Sequence, residues 1–283
     1  MIVQTCGSRR FLSAGRLGGY CFAGIWALLT LYPLVFSILS SFKSTDEIYY
    51  NPFALPQIWR IGNYAAAFGR HNMVLAIGNS LFFGIGATAL VLVTASMAAF
   101  ALARYRLRYL PWVFLFFALG IMIPIHSTLI PLVRMINRAG LANRYSSLIV
   151  LYSGFSVPLA VLIITGFMRG IPAQLEESAI IDGARPGHVL FRIVLPLSTP
   201  ALATAGIITF RGIYNDLIFA LLFINRPRMN TISLALLRFQ GSWHIELGPV
   251  FAAVTVAIIP MIVIYMLFQE RIEHGLAAGA LKE

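Results

Sequence analysis

The sequence predicts an all-α, polytopic membrane protein with six transmembrane helices. Three observations carry that expectation. Apolar residues make up 59% of the 283 and charged residues only 11%, against roughly a quarter charged in soluble domains. The charges are also confined: no Asp, Glu, Lys or Arg falls between Arg16 and Lys43, Arg70 and Arg104, Arg108 and Arg134, Arg144 and Arg169, or Glu246 and Glu270. Each gap exceeds the ~20 residues a helix needs to cross a hydrocarbon core. Finally, the apolar runs are continuous and more than twice the length of a barrel strand of about 9–11 alternating residues. In lipid a helix satisfies its own backbone groups, which a lone strand cannot do.

Taken in order, the expected spans are 17–42, 74–100, 110–133, 146–168, 199–224 and 248–269, within a single membrane domain, 1–283. Arg9, Arg10 and Arg16 before the first span suggest a signal peptide, but the uncharged run of 26 residues is longer than a signal core of about 7–15 and lacks a small-x-small cleavage site. It is expected to be a retained span. Cys6 and Cys21 are too few for a disulfide framework, and Cys21 reads as a small packing residue. Segment 43–72 carries the turn formers Asn51-Pro52 and Leu55-Pro56. Arg104 to Tyr109 is a tight turn, and Gly140 breaks the 134–146 loop. No repeat and no low-complexity stretch is present. The net charge of +11 sits in short loops beside the spans, where arginines meet anionic headgroups, so no nucleic acid is expected as a partner.

The polar break at 169–198 is the most informative segment. It reads Glu177-Ser178-Ala179, three residues, Gly183, nine residues, then Ile193-x-Leu195-Pro196. Pro172 suits a first helical position, and Glu176 and Glu177 fall where negative charge complements the helix dipole. Gly183 stands where a short helix would stop in the left-handed conformation. A second short helix, 188–195, returns to the membrane, and Pro196 ends or bends it. Ala179 and Gly183, four apart, share one face of small side chains.

This spacing resembles the EAA motif of binding-protein-dependent ABC importers, the cytoplasmic loop by which a permease subunit engages its ATPase. Further features are similar to the carbohydrate-uptake branch and the second membrane subunit of maltose-type importers: Ser41-Phe42-Lys43, Asn51-Pro52-Phe53, Asn63-Tyr64, Asn79-Ser80, Asn215-Asp216 and the tail from Gly275 to Ala280. Two positions depart from the family pattern: Ser178, commonly alanine, and Tyr214, often tryptophan. The resemblance implies that Glu177, Ser178, Ala179, Asp182, Gly183, Ile193, Leu195 and Pro196 couple to the ATPase. It implies a second permease subunit, two ATP-binding subunits and an external solute-binding protein as partners, with membrane lipid around them. The cargo it implies is a sugar or oligosaccharide; a non-sugar solute is the alternative within the family. It also suggests that 225–248 reaches toward the binding protein.

An ATPase-docking loop faces the ATP, which places both termini in the cytoplasm of a prokaryote and the chain in its inner membrane. Charge counting favours this orientation only slightly, with eleven basic residues inside against nine outside. The chain has no P-loop, since Phe42 precedes Lys43 and Leu281 precedes Lys282, the two lysines present. No cofactor is expected in this chain, and ATP and Mg belong to the partner ATPase. No nucleophile–base or metal constellation indicates an enzyme. An ion-driven secondary transporter would need acidic or histidine relays or a repeat, and only one acidic residue lies in the spans.

Polar residues inside the spans complete the candidate set. Arg211 and Asp216 each cost at least about 2.5–3.5 kcal/mol at mid-membrane. About 140° apart around one helix, they are poorly placed for a salt bridge. Two readings stand: Asn79, Arg211, Asn215 and Asp216 line the translocation path or the facing subunit, or Arg211 snorkels and Asp216 pairs structurally with another helix. Asn79, Ser80 and His126 read first as interhelical hydrogen bonders, and Trp112 and Trp243 as interfacial anchors.

Overall fold

A computed structural model describes residues 14–240 and 246–280; Cys6, Arg9, Arg10, Trp243 and Lys282 lie outside them. The described residues contain helices and no strands. In order, the helices are α1 (Ala14–Ser40), α2 (Thr45–Tyr50), α3 (Gly62–His71), α4 (Met73–Arg104), α5 (Leu110–Met122), α6 (Ile125–Arg138), α7 (Tyr145–Met168) and α8 (Gln174–Ile181). Then come α9 (Pro186–Val189), a π-helical turn (Leu190–Val194), α10 (Leu195–Leu197), α11 (Thr199–Tyr214), α12 (Ile218–Phe223), a short 3₁₀ turn (Pro227–Met229), α13 (Ile232–Gln240) and α14 (Leu247–Ala280). Gly18–Ser40, Met73–Arg104, Tyr145–Met168 and Leu247–Gln269 are continuous helices long and apolar enough to cross a membrane. Two bent pairs bring the count to six if each is one span: α5 with α6, at 97°, and Pro186–Leu197 with α11, at 75°.

Two expected spans are therefore not straight. The third, 110–133, breaks at Ile123-Pro124. Proline pushes its predecessor out of the helical region, and Ile123 sits at φ −71°, ψ 116°. The fifth, 199–224, ends early: α11 stops at Tyr214, and α12 starts afresh at Ile218.

The chain divides into two compact units. The first comprises residues 1–66 and 246–255. Here the motif residues converge. Lys43 is 1% exposed, and its Nζ donates to the carbonyls of Asn51 (3.1 Å) and Pro52 (3.0 Å). Asn63 Nδ2 donates to the carbonyls of Ser41 (2.8 Å) and Lys43 (2.9 Å), while the Ser41 and Tyr64 hydroxyls lie 2.7 Å apart. The Phe42 ring packs between Trp59 and Tyr64. Any Cβ on Gly248 would meet the Lys43 carbonyl at 2.5 Å, so only glycine permits this approach. Cys21, expected to pack, is exposed, as are Phe22, Trp26 and Leu29 beside it on α1.

A capping box starts α2. Ser44 Oγ accepts from the Glu47 N–H, and the Glu47 carboxylate accepts from the Ser44 N–H (2.9 Å) and, through its other oxygen, from the Gln57 N–H (3.0 Å). The backbone donors of Ser44 and Gln57 hold the Glu47 carboxyl below its ordinary value of 4.5. A depressed carboxyl contributes stability that is present above its unfolded value and lost as pH falls through the folded one. Hydrogen exchange in the α2 amides should therefore accelerate on acidification below pH 4.5. Glu47→Gln should exchange fast throughout and show no such acid step; an unchanged acid step would refute the assignment.

The second unit comprises 67–245 and 256–283. Its core is α4 against α7 and α11. One cluster gathers Val91, Ala95 and Ala99 with Val161, Ile164, Met168, Val194 and Ala205; a second gathers Phe83 and Ala87 with Leu148, Tyr152, Ile213 and Phe219. Small residues let backbones approach, which drives helix association where lipid removes the hydrophobic difference. Gly84 is the tightest point, since a Cβ there would stand 2.6 Å from the Phe210 ring. Tyr214 is buried, and its hydroxyl donates to the Ala257 carbonyl at 2.9 Å, tying α11 to α14.

Candidate coupling site and polar residues of the spans

The 169–198 loop folds as the spacing predicts, with local differences. Helix α8 starts at Gln174, two residues after Pro172. Its end is a Schellman motif: the Ala184 N–H reaches the Ala179 carbonyl (2.9 Å), and the Gly183 N–H reaches the Ile180 carbonyl (3.0 Å). Gly183 takes φ +87°, where a side chain would be strained. Glu177, Ser178, Asp182 and Gly183 are exposed and Ala179 half-buried. Ile180 and Ile181 are 59% and 85% exposed. The Ser178 hydroxyl folds back onto the Leu175 carbonyl at 3.2 Å, so it satisfies itself within α8. The return segment begins at Pro186 and includes the π-helical turn, which local sequence did not reveal. Ile193 and Leu195 are half-buried, and Pro196 is exposed.

What holds this loop to the spans escaped the sequence reading. Glu176, expected only to complement the α8 dipole, is buried and ion-paired with Arg104 at the end of α4. The same Arg104 Nη2 also donates toward the Ile171 carbonyl at 3.3 Å. Arg169, which ends α7, lies over the Phe114 ring at 4.9 Å and points toward the Leu102 carbonyl. Both arginines therefore cross between spans and pin the two ends of α8's approach. Three arginines within five residues at 104–108 were the available signal, but spacing alone named no partner.

The four polar residues of the spans do not converge. Asn79 is buried; its amide donates to the Arg228 (2.8 Å) and Asn230 (3.0 Å) carbonyls and accepts from the Tyr145 hydroxyl (3.1 Å). Ser80 Oγ accepts the Ile232 N–H at 2.8 Å. Together they fasten 228–232 to α4. Asp216 Oδ2 accepts from the Tyr152 hydroxyl (2.9 Å) and from the N–H groups of Phe219 (3.1 Å) and Ala220 (3.2 Å). It thus supplies the acceptor that the first turn of α12 lacks, which is the physical reason the fifth span breaks there. Asn215 is exposed and donates to the Arg211 carbonyl at 3.0 Å; Arg211 is exposed on α11. His126 is exposed in the first turn of α6, and Trp112 is 72% exposed.

Comparison with known proteins places this architecture. The family model for the binding-protein-dependent transport system inner membrane component matches residues 91–278, from mid-α4 through the 169–198 loop into α14. The chain belongs to this family. A trehalose transport system permease of Mycobacterium tuberculosis is 32% identical over 92% of this chain and 98% of its own length. A sulfoquinovosyl glycerol transport system permease of Agrobacterium fabrum is 31% identical over 92% of each. A solved bacterial ABC transporter involved in import of the acidic polysaccharide alginate matches the fold at TM-score 0.80 and 21% identity, over 92% of this chain and 98% of that one. As a binding-protein-dependent transport system inner membrane component, the chain is an ABC importer permease subunit built of membrane helices.

Proposed function

We propose that this permease subunit carries a sugar or oligosaccharide, forms half of the translocation path with a second permease subunit, and is driven by two ATP-binding subunits through residues 172–196. An external solute-binding protein delivers the cargo. The membrane is the inner membrane of a prokaryote, both termini are cytoplasmic, and the chain itself performs no covalent chemistry. The observation that carries the reading is the exposed helix α8, stopped by Gly183 just beyond its end and tethered to α4 by the Glu176–Arg104 pair. A short capped helix moves as one body, so displacement of its exposed face reaches the spans without being absorbed by loop bending. The sugar assignment rests on relatives named for trehalose and sulfoquinovosyl glycerol transport.

Crosslinking tests the coupling. Ala179→Cys, co-expressed with the candidate ATPase, should form a crosslink whose yield changes with ATP. Adding Gly183→Val should remove that dependence and lower uptake about tenfold, because φ +87° costs a branched residue roughly 1–2 kcal/mol and the stop is lost. Stable, membrane-inserted protein with no crosslink to the ATPase would sink the coupling assignment. Uptake that fails for every oligosaccharide but proceeds for another solute class would sink the cargo assignment alone.

A further inference from the structure

The turn between α4 and α5 borders a half-open cavity of about 380 Å³, within the range of small-ligand sites. The α8 docking face does not use it. Its polar wall is Arg106, Arg169 and Tyr105, its apolar wall includes Leu107, Leu110 and Phe114, and no carboxylate lines it. Of the other arginines of this turn, Arg104 is already neutralised by Glu176 and Arg108 does not line the cavity. Two guanidinium groups thus face one concave space without a counter-charge, and Arg169 is held in place by the Phe114 ring.

We propose that this cavity binds the phosphate headgroup of an anionic phospholipid. Guanidinium groups match phosphate geometry through paired N–H donors, and the Tyr105 hydroxyl adds a further donor. The apolar side of the same space suits a glycerol backbone better than water. Leu107, Leu110, Pro111 and Phe114 form the apolar side of the cavity, against which the glycerol backbone and first acyl carbons can lie, and that lining favours a lipid over free phosphate. Basic pockets between spans at the membrane surface are recognised headgroup sites, and this one holds whichever way the chain is oriented, because a turn between two spans lies at the interface in either case.

The site has a second consequence. Arg169 is followed directly by the loop leading to α8, and Arg104 grips Glu176 within α8. A headgroup on Arg106 and Arg169 therefore stiffens the point from which α8 projects.

The test uses the full chain, delipidated in zwitterionic detergent, titrated separately with phosphatidylglycerol and phosphatidylcholine and read by native mass spectrometry. Phosphatidylglycerol should be retained several-fold more. Arg106→Gln, at an exposed side chain, should cut that retention about fivefold, the worth of one basic residue near an anionic surface, while leaving phosphatidylcholine unchanged. Arg106→Lys should restore part of it. Leu107→Trp, which fills the cavity without removing charge, should lower retention too. Arg238→Gln, equal in charge but on α13, should have no effect. Equal retention of the two lipids would overturn the proposal, as would equal losses in Arg106→Gln and Arg238→Gln. Displacement of phosphatidylglycerol by an equal concentration of glycerol 3-phosphate would convert the site to one for soluble phosphate and reject the lipid.

Discussion

Arg104→Ala is expected to destabilise the permease by about 3–5 kcal/mol, the range for removing one partner of a buried ion pair. The side chains of Arg104 and Glu176 are 14% and 10% exposed, so a lone Glu176 carboxylate would be left without water or a counter-charge. The Ile171 carbonyl would lose its guanidinium donor as well. Glu176→Ala should cost a similar amount. The double variant should cost clearly less than the sum, because neither charge is then stranded. Thermal unfolding followed by fluorescence-detected size exclusion measures all three. Simple additivity would show that the pair contributes nothing jointly. The functional readout is separate: in Arg104→Ala protein that remains folded, the ATP-dependent Ala179→Cys crosslink should weaken, since α8 has lost its tether to α4.

Asp216→Ala should cost about 2–3 kcal/mol, and the size of that loss decides between the two readings of the residue. Interhelical hydrogen bonds in membranes average only about 0.6 kcal/mol. Asp216 carries three donors at once, however: the Tyr152 hydroxyl and the N–H groups of Phe219 and Ala220. Buried donors left unmet cost about 1–3 kcal/mol each, and local relaxation of α12 keeps the total below their sum. Asp216→Asn, which keeps one acceptor oxygen, should cost about half as much. Tyr152→Phe should cost about 1 kcal/mol and add little on top of Asp216→Ala. If the residue is structural, uptake falls only as folded protein falls. Uptake lost at full thermal stability would instead assign Asp216 to the solute path.

The neighbouring residues divide the same way. The motifs Ser41-Phe42-Lys43, Asn51-Pro52 and Asn63-Tyr64 were visible as separate short strings, yet their mutual hydrogen bonds, with Gly248 closing the knot, exist only in three dimensions. Asn79 and Ser80 read as hydrogen bonders from their burial in an apolar run, and the structure supplies their partners 149 to 152 residues away. Pro124 was legible as a residue but not as a 97° change of direction. Proline removes a donor and constrains its predecessor, while packing sets how far the chain turns. The Tyr214 hydroxyl bond to Ala257 gives that phenol a use that no local pattern announces.

By itself the sequence determined the helical, membrane-spanning character, the position of the polar loop and the glycine stop of α8. These depend on backbone chemistry and on the run length of apolar side chains, both of which are local. The tertiary structure decided which spans bend, that Glu176 pairs with Arg104, that Asp216 starts α12 and that Arg106 and Arg169 share one cavity. Each of these depends on the rotation and register of one helix against another. That is set by the fit of many small side chains along α4, α7 and α11, so residues far apart in the chain acquire partners that no spacing rule encodes.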